Sequence, residues 1–397
     1  MLRVPCSGKV LGEPEKALMH QAVEDLWLTA GRWNQRFEEG LVKATGGVWA
    51  ATVNSGSSAN LVAISALGLK TGDEVITVAC GFPTTVNPII LNAATPVFVD
   101  VDLTYNADPG LIADAITDKT KAIVLAHTLG NPFDIGAVME LADVHGLKVV
   151  EDCCDSLGST YLDKPVGTFG DLATLSFYPA HQITTGEGGA VFSSVPGLRG
   201  TVDSIRDWGR DCWCPPGAEN TCGYRFEQQH GSLPFGYDHK YVYSRLGYNL
   251  KMTDMQAACG VAQLDRLEGF IAKRRENWSW LRKRLESCSE FLILPEPTPH
   301  SKPSWFGFCL TMKENCDFRR PDFLAYLAQE GVDSRQLFGG NLTRQPYMRG
   351  RNFRIHGSLK NTDVITEKTF WIGCWPGLNE EHLEWSANRI ETFLGVR

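Results

Sequence analysis

Between residues 57 and 194 the sequence switches repeatedly between strand-like and helix-like patterning, and this alternation constrains the fold more than any other feature. Short apolar runs stand at 74–80 (EVITVAC), 95–100 (TPVFVD), 121–127 (KAIVLAH), 147–152 (LKVVED), 172–178 (LATLSFY) and 189–194 (GAVFSS). Their length and their β-branched residues read as strands. Helical patterns separate several of them, including 57–69, entered through a Gly/Ser turn, and 135–146 (IGAVMELADVHG). Apolar strands alternating with helices predict an α/β domain with a largely parallel sheet covered on both faces.

The rest of the chain predicts a helix over 15–30, a long helical stretch over 253–286, a strand over 304–312, and helices over 320–331 and 380–394. A chain of 397 residues is long enough for two domains. We expect a large domain over 1–265 and a smaller α/β domain over 266–397. A net charge of −8 argues against nucleic acid or an anionic membrane as partner. No apolar run approaches the roughly 20 residues of a membrane helix. The stretch MLRVPCSGKVLGEPEKALMH carries no secretory h-region, so a cytoplasmic protein is expected. In that compartment the twelve cysteines are not read as disulfides.

Three stretches suit a phosphorylated, ring-bearing ligand. In NSGSSAN (54–60), small residues open a helix whose N–H groups suit a phosphate; a plain helix cap is the alternative. In VVEDCCD (149–155), Asp152 ends a buried strand, where it suits a protonated ring nitrogen or caps the next element. In SFYPAHQITTGEGGAV (176–191), Ser176 suits a phosphate, Tyr178 suits the cleft, and His181 sits in a turn rich in Thr and Gly. A fourth stretch, RDCWCPPGAENTCGYRF, places Cys212, Cys214 and Cys222 within eleven residues. Such clustering points to metal, either tetrahedral zinc or an iron–sulfur group. Cys80, Cys259 and Cys309 read as small buried hydrophobes, and Cys153 is expected to face the core.

These stretches, with GFPTTVNPII, LGYNLKMTDMQAA and GNLTRQPY, resemble the sugar aminotransferase/dehydrase family of fold-type-I pyridoxal-phosphate enzymes. The resemblance implies the aspartate-aminotransferase-like fold and a lysine where His181 stands. An imidazole cannot anchor the cofactor covalently as a lysine amine does. Histidine at that position resembles the branch that dehydrates CDP-4-dehydro-6-deoxyglucose at C3. So does the C-x57-C-x-C-x7-C spacing, which adds Cys154 to Cys212, Cys214 and Cys222 as ligands of a [2Fe–2S] cluster.

The implied cofactor is pyridoxamine 5′-phosphate, with His181 as the base, Asp152 on the ring nitrogen and Tyr178 in the cleft. The resemblance places Gly56, Ser57 and Ser176 at the phosphate, Phe82 on the ring and Asp155 near the ring hydroxyl. Asn249 is implied to reach the phosphate of a neighbouring subunit, which makes a homodimer with shared sites. A nucleotide sugar is the implied substrate and an iron–sulfur flavin reductase the implied electron donor. A cluster-free dehydrase, a sugar aminotransferase and a non-catalytic zinc protein are the alternatives. Arg344 and YDHKYVYSR (237–245) are weaker candidates for the diphosphate and base.

Overall fold

The computed structural model describes residues 2–396. All six strands expected between 74 and 194 form, and they join one eight-stranded sheet. From edge to edge its strands are Trp49–Val53, Gly189–Ser193, Leu172–Ser176, Lys148–Asp152, Thr120–Ala126, Glu74–Val78, Thr95–Val99 and Arg354–Ile355. Gly189–Ser193 runs antiparallel to both its neighbours, and every other adjacent pair is parallel.

The two-residue strand period separates two apolar layers. Val75, Val124 and Val150 enter the core on one face, while Ile76, Ile123 and Val149 enter the core on the other. Each fully buried side chain of this size contributes ~1.5–3 kcal/mol. Register then fixes the rim, where Ala126 stands opposite Asp152 and Asp152 opposite Thr174. The C-terminal ends of three strands therefore meet, which is where open α/β sheets bind ligands.

Several elements differ from expectation. The first helix is Glu13–Glu24, and the chain turns at Leu26 with a positive φ of 51°. A helix at Arg32–Thr45 follows; it buries Trp33, Phe37 and Leu41 and ends at Gly46 in the left-handed region. The 253–286 stretch is two helices, Asp254–Leu264 and Leu267–Arg284. Arg266 lies at the corner between them and is tied to Val10 O at 3.1 Å and to Glu15 at 2.9 Å.

A second core forms around an antiparallel sheet ordered Leu292–Ile293, Gly307–Met312, Thr369–Gly373 and Ser334–Gln336. Helix Leu267–Arg284 bridges the two cores: Leu267 and Phe270 pack in the first, Trp278 and Leu281 in the second. The chain also crosses between the cores in two other places. Val4 packs in the second core and donates its N–H to Gly331 O at 2.8 Å. Arg354–Ile355 completes the edge of the large sheet.

Between Arg206 and Asp254 the chain carries only one short 3₁₀ turn, His239–Tyr241. No helix among the described residues is long and apolar enough to cross a membrane.

Candidate active site and cysteine hollow

A cavity of ≈ 630 Å³ opens at the rim where the strand ends meet. Gly56, Ser57, Phe82, Asp152, Asp155, Ser176, Tyr178 and His181 all line it. Asn249, the remaining residue expected at the cofactor, does not line it.

Asp152 is buried and held from several sides. Its Oδ2 accepts from Asn60 Nδ2 at 2.8 Å and Thr85 Oγ1 at 2.7 Å, and its Oδ1 accepts from the Cys154 N–H at 3.1 Å. Thr174 donates to Asn60 Oδ1 at 2.8 Å and so fixes the amide that serves Asp152. Asn60 and Thr85 lie within NSGSSAN and GFPTTVNPII, but their shared partner is visible only once the strands are assembled.

The turn before the helix Gly56–Ala66 is built for close approach. Ser55 is the N-cap and accepts from Ser58 N at 3.1 Å, which leaves Ser57 exposed to the cavity. A Cβ on Gly56 would come within 2.6 Å of Ser176 Cβ, so only glycine keeps this cradle open. The positive end of the helix dipole adds to the attraction for a phosphate. Phe82, 51% exposed, stands edge-on to Phe338 at 5.9 Å and leaves a ring face for a flat ligand. An anion cradle, an aromatic wall and a strand-end carboxylate together fit pyridoxamine phosphate.

His181 lies against Phe306, with ring centroids 5.2 Å apart. Its Nδ1 is 3.4 Å from Asp155 Oδ1, off the line of a hydrogen bond. The buried Arg274 holds the backbone beneath it, donating to His181 O at 2.9 Å, Ala180 O at 3.2 Å and Trp305 O at 3.1 Å. Burial lowers the pKa of Arg274, and the carboxylate of Asp155 opposes that shift. An arginine in RRENW carries no sequence signal for this role. Among the described residues no lysine lines the cavity.

Cys212, Cys214 and Cys222 line a separate hollow of ≈ 200 Å³ together with His239. Cys222 Sγ lies 3.7 Å from His239 Nδ1, and His239 Nε2 lies 2.9 Å from Asp211. Burial pushes the Cys214 thiol up, but donors from Thr221 and Cys212 outweigh it and leave the thiol below its ordinary value. Burial raises Cys212.

Cys154 is not with the other three thiols. It lines the main cavity, with Sγ 3.2 Å from where a Gly56 Cβ would stand. The bond from its N–H to Asp152 fixes the backbone so that the side chain turns to the phosphate cradle. Burial pushes its thiol well up, and the charge of Asp152 adds to the shift. In this structure the expected four-thiol set is divided, with Cys154 lining the main cavity and Cys212, Cys214 and Cys222 lining the hollow.

Cys153 faces the core, as expected. It lies beside His127 and Glu151, the one trio of potential ligands within 4.8 Å among the described residues. The polar atoms of that trio are already engaged. Glu151 takes His127 Nε2 at 3.1 Å and the N–H groups of Gly167, Phe169 and Gly170, and His127 Nδ1 accepts from Phe133.

The model of the DegT/DnrJ/EryC1/StrS aminotransferase family matches residues 10–391. The chain belongs to this family. It is 56% identical to the lipopolysaccharide biosynthesis protein RfbH of Salmonella typhimurium, covering 99% of this chain and 92% of that protein. It is 48% identical to the dTDP-4-dehydro-2,6-dideoxy-D-glucose 3-dehydratase of Saccharopolyspora spinosa, covering 98% and 86%. Among solved structures, GDP-4-keto-6-deoxymannose-3-dehydratase with bound GDP-perosamine superposes with a TM-score of 0.88. That match has 26% identity and covers 98% of this chain and 100% of that one. The architecture is the fold-type-I fold of pyridoxal-phosphate enzymes. As a member of the DegT/DnrJ/EryC1/StrS family, the chain is an enzyme of the sugar-nucleotide aminotransferase and 3-dehydratase group.

Proposed function

We propose that the chain is a pyridoxamine-phosphate-dependent 3-dehydratase acting on a nucleotide-linked 4-keto-6-deoxyhexose. CDP-4-dehydro-6-deoxyglucose is the proposed substrate, in the synthesis of a 3,6-dideoxyhexose. The observation that carries the reading is His181, the imidazole in a cavity lined by no lysine. A lysine amine tethers the cofactor covalently and carries the proton in transamination; an imidazole can move that proton but forms no such tether. When bound, the cofactor supplies an amine for the sugar's keto group and a ring that withdraws electrons.

The residues of the chain have separable tasks. Asp152, fixed by Asn60 and Thr85, holds a proton on the ring nitrogen and keeps the ring cationic. Gly56, Ser57 and Ser176 bind the phosphate, Phe82 covers the ring, and Asp155 takes the ring hydroxyl end. With Nδ1 turned to Asp155, His181 has Nε2 left to take the proton from the cofactor's methylene carbon. Tyr178, 53% exposed at the mouth, is placed to meet the sugar.

A homodimer belongs to the same proposal, with Asn249 of each subunit serving the other's phosphate. Trp213, Phe235 and Leu246, in the same 207–253 segment as Asn249, are large apolar side chains left exposed, and a second copy would cover them. Metal binding through Cys212, Cys214 and Cys222, which line one hollow, belongs to the proposal too; these thiols must draw closer, since they do not all lie within 4.8 Å of one another here. We propose iron–sulfur rather than zinc there, served by a partner reductase. Because Cys154 lies elsewhere in this conformation, it joins the ligand set only if it leaves the phosphate cradle.

The reading is tested by mixing protein loaded with pyridoxamine phosphate with the 4-keto sugar nucleotide, an electron-donating iron–sulfur flavin reductase and its reduced nicotinamide. Loss of the C3 oxygen supports it, and an amino sugar as the only product overturns it. Iron, sulfide and zinc, measured together after anaerobic purification, decide the metal.

A further inference from the structure

The cavity has a charge imbalance that the cofactor does not explain. Among the described residues its lining includes three carboxylates, Asp152, Asp155 and Glu187, and a single arginine or lysine, Arg335. The proposed substrate brings a diphosphate, and a dianion does not settle among carboxylates without a cation.

Arg335 comes from the second core. It sits on the edge strand Ser334–Gln336 and stands opposite Trp371 in the register, and both residues line the cavity. Its side chain makes one hydrogen bond, from Nη1 to Ser334 O at 2.8 Å. Among the described residues it enters no ion pair, whereas the nearby Asp333 pairs with Arg3 at 3.7 Å. Its guanidinium is thus exposed, charged and mostly unused. Arg344, the earlier candidate, is committed elsewhere: it pairs with Asp363 at 3.1 Å and Glu367 at 3.8 Å and does not line the cavity.

We propose that Arg335 binds the diphosphate of the sugar nucleotide through its planar fork of N–H donors. This rests on the proposed function and adds its substrate anchor. The cofactor's phosphate is the other anion of the site. It has its own cradle at Gly56, Ser57 and Ser176, and the carrier's phosphates are left to Arg335. The large sheet then supplies the chemistry, and the smaller sheet holds the carrier.

The test is calorimetric titration of protein loaded with pyridoxamine phosphate, using CDP, dTDP, GDP and phosphate-free cytidine as probes. Wild type is expected to bind at least one nucleoside diphosphate better than cytidine. Arg335→Gln should lose roughly tenfold or more of that affinity, the scale of a charged hydrogen bond. Arg335→Lys should recover part of it, and the affinity for pyridoxamine phosphate should not move. An unchanged melting temperature would show that the exposed edge position tolerates the change. If Arg335→Gln binds the diphosphate as wild type does, the inference fails while the proposed function stands. If the variant loses pyridoxamine phosphate instead, Arg335 belongs to the cofactor and the inference is overturned. If wild type binds none of the diphosphates, the sugar-nucleotide reading fails and the inference fails with it.

Discussion

The cofactor cavity and the cysteine hollow hold reactive side chains in opposite ways. In the cavity, strand ends and helix starts fix the working groups, and the polar partners of Asp152 are in place before any ligand arrives. In the hollow, three thiols hang from a segment with no strand and one short 3₁₀ turn. Their contacts include a threonine, an asparagine and a histidine. Preorganisation suits proton transfer, where a small misplacement is costly. A metal site can instead leave part of its ordering to the metal, whose binding energy is spent on folding the ligands.

The largest test of this contrast is His181→Lys. It should cut C3 deoxygenation by ~10²–10⁴-fold, the usual worth of a positioned acid–base group, while leaving the melting temperature near wild type. Product assays and thermal melts measure the two effects. A collapse in stability would show that the cavity is less rigid than described.

Cys212→Ser comes next. It should remove most of the bound iron and leave pyridoxamine phosphate affinity intact, because the two sites share no lining residue. Limited proteolysis should then cut within 207–253 before it cuts the sheet. The same pattern after chelation would confirm ordering by metal, and equal protection with and without metal would break the contrast. The parallel variant Cys154→Ser is informative here: lost iron would mean that this thiol leaves its seat beside Gly56.

Gly56→Ala should weaken cofactor binding and cost about 1–3 kcal/mol, since the new methyl meets Ser176 Cβ at 2.6 Å. Denaturation and cofactor titration would read both. The smallest effect is expected at Arg344→Ala, whose exposed ion pairs with Asp363 and Glu367 should be worth no more than about 1 kcal/mol. A large loss of activity there would reassign the carrier's anchor.

Regularly spaced features were legible in the sequence. Short apolar runs marked six sheet strands, and small residues beside a helix start marked the cradle. Trp33, Phe37 and Leu41 recur every fourth residue, so the helix they define was available to the same reasoning. Long-range partners carried no such signal. Thr85 meets Asp152, Arg274 props His181, and Arg335 reaches the rim from the far sheet only through tertiary packing. The cysteine spacing was legible as a motif, but spacing does not encode side-chain direction. Cys153 and Cys154 are adjacent and turn to different surroundings, the core and the cradle.

The contact of Val4 with Gly331 and Val332 has a consequence for synthesis. A ribosome releases residue 4 long before residue 331, so this stretch must wait unsatisfied while most of the polypeptide is translated. A bulky tag fused close to Val4 would sit at that late-closing seam, and one fused beyond the final helix would avoid it.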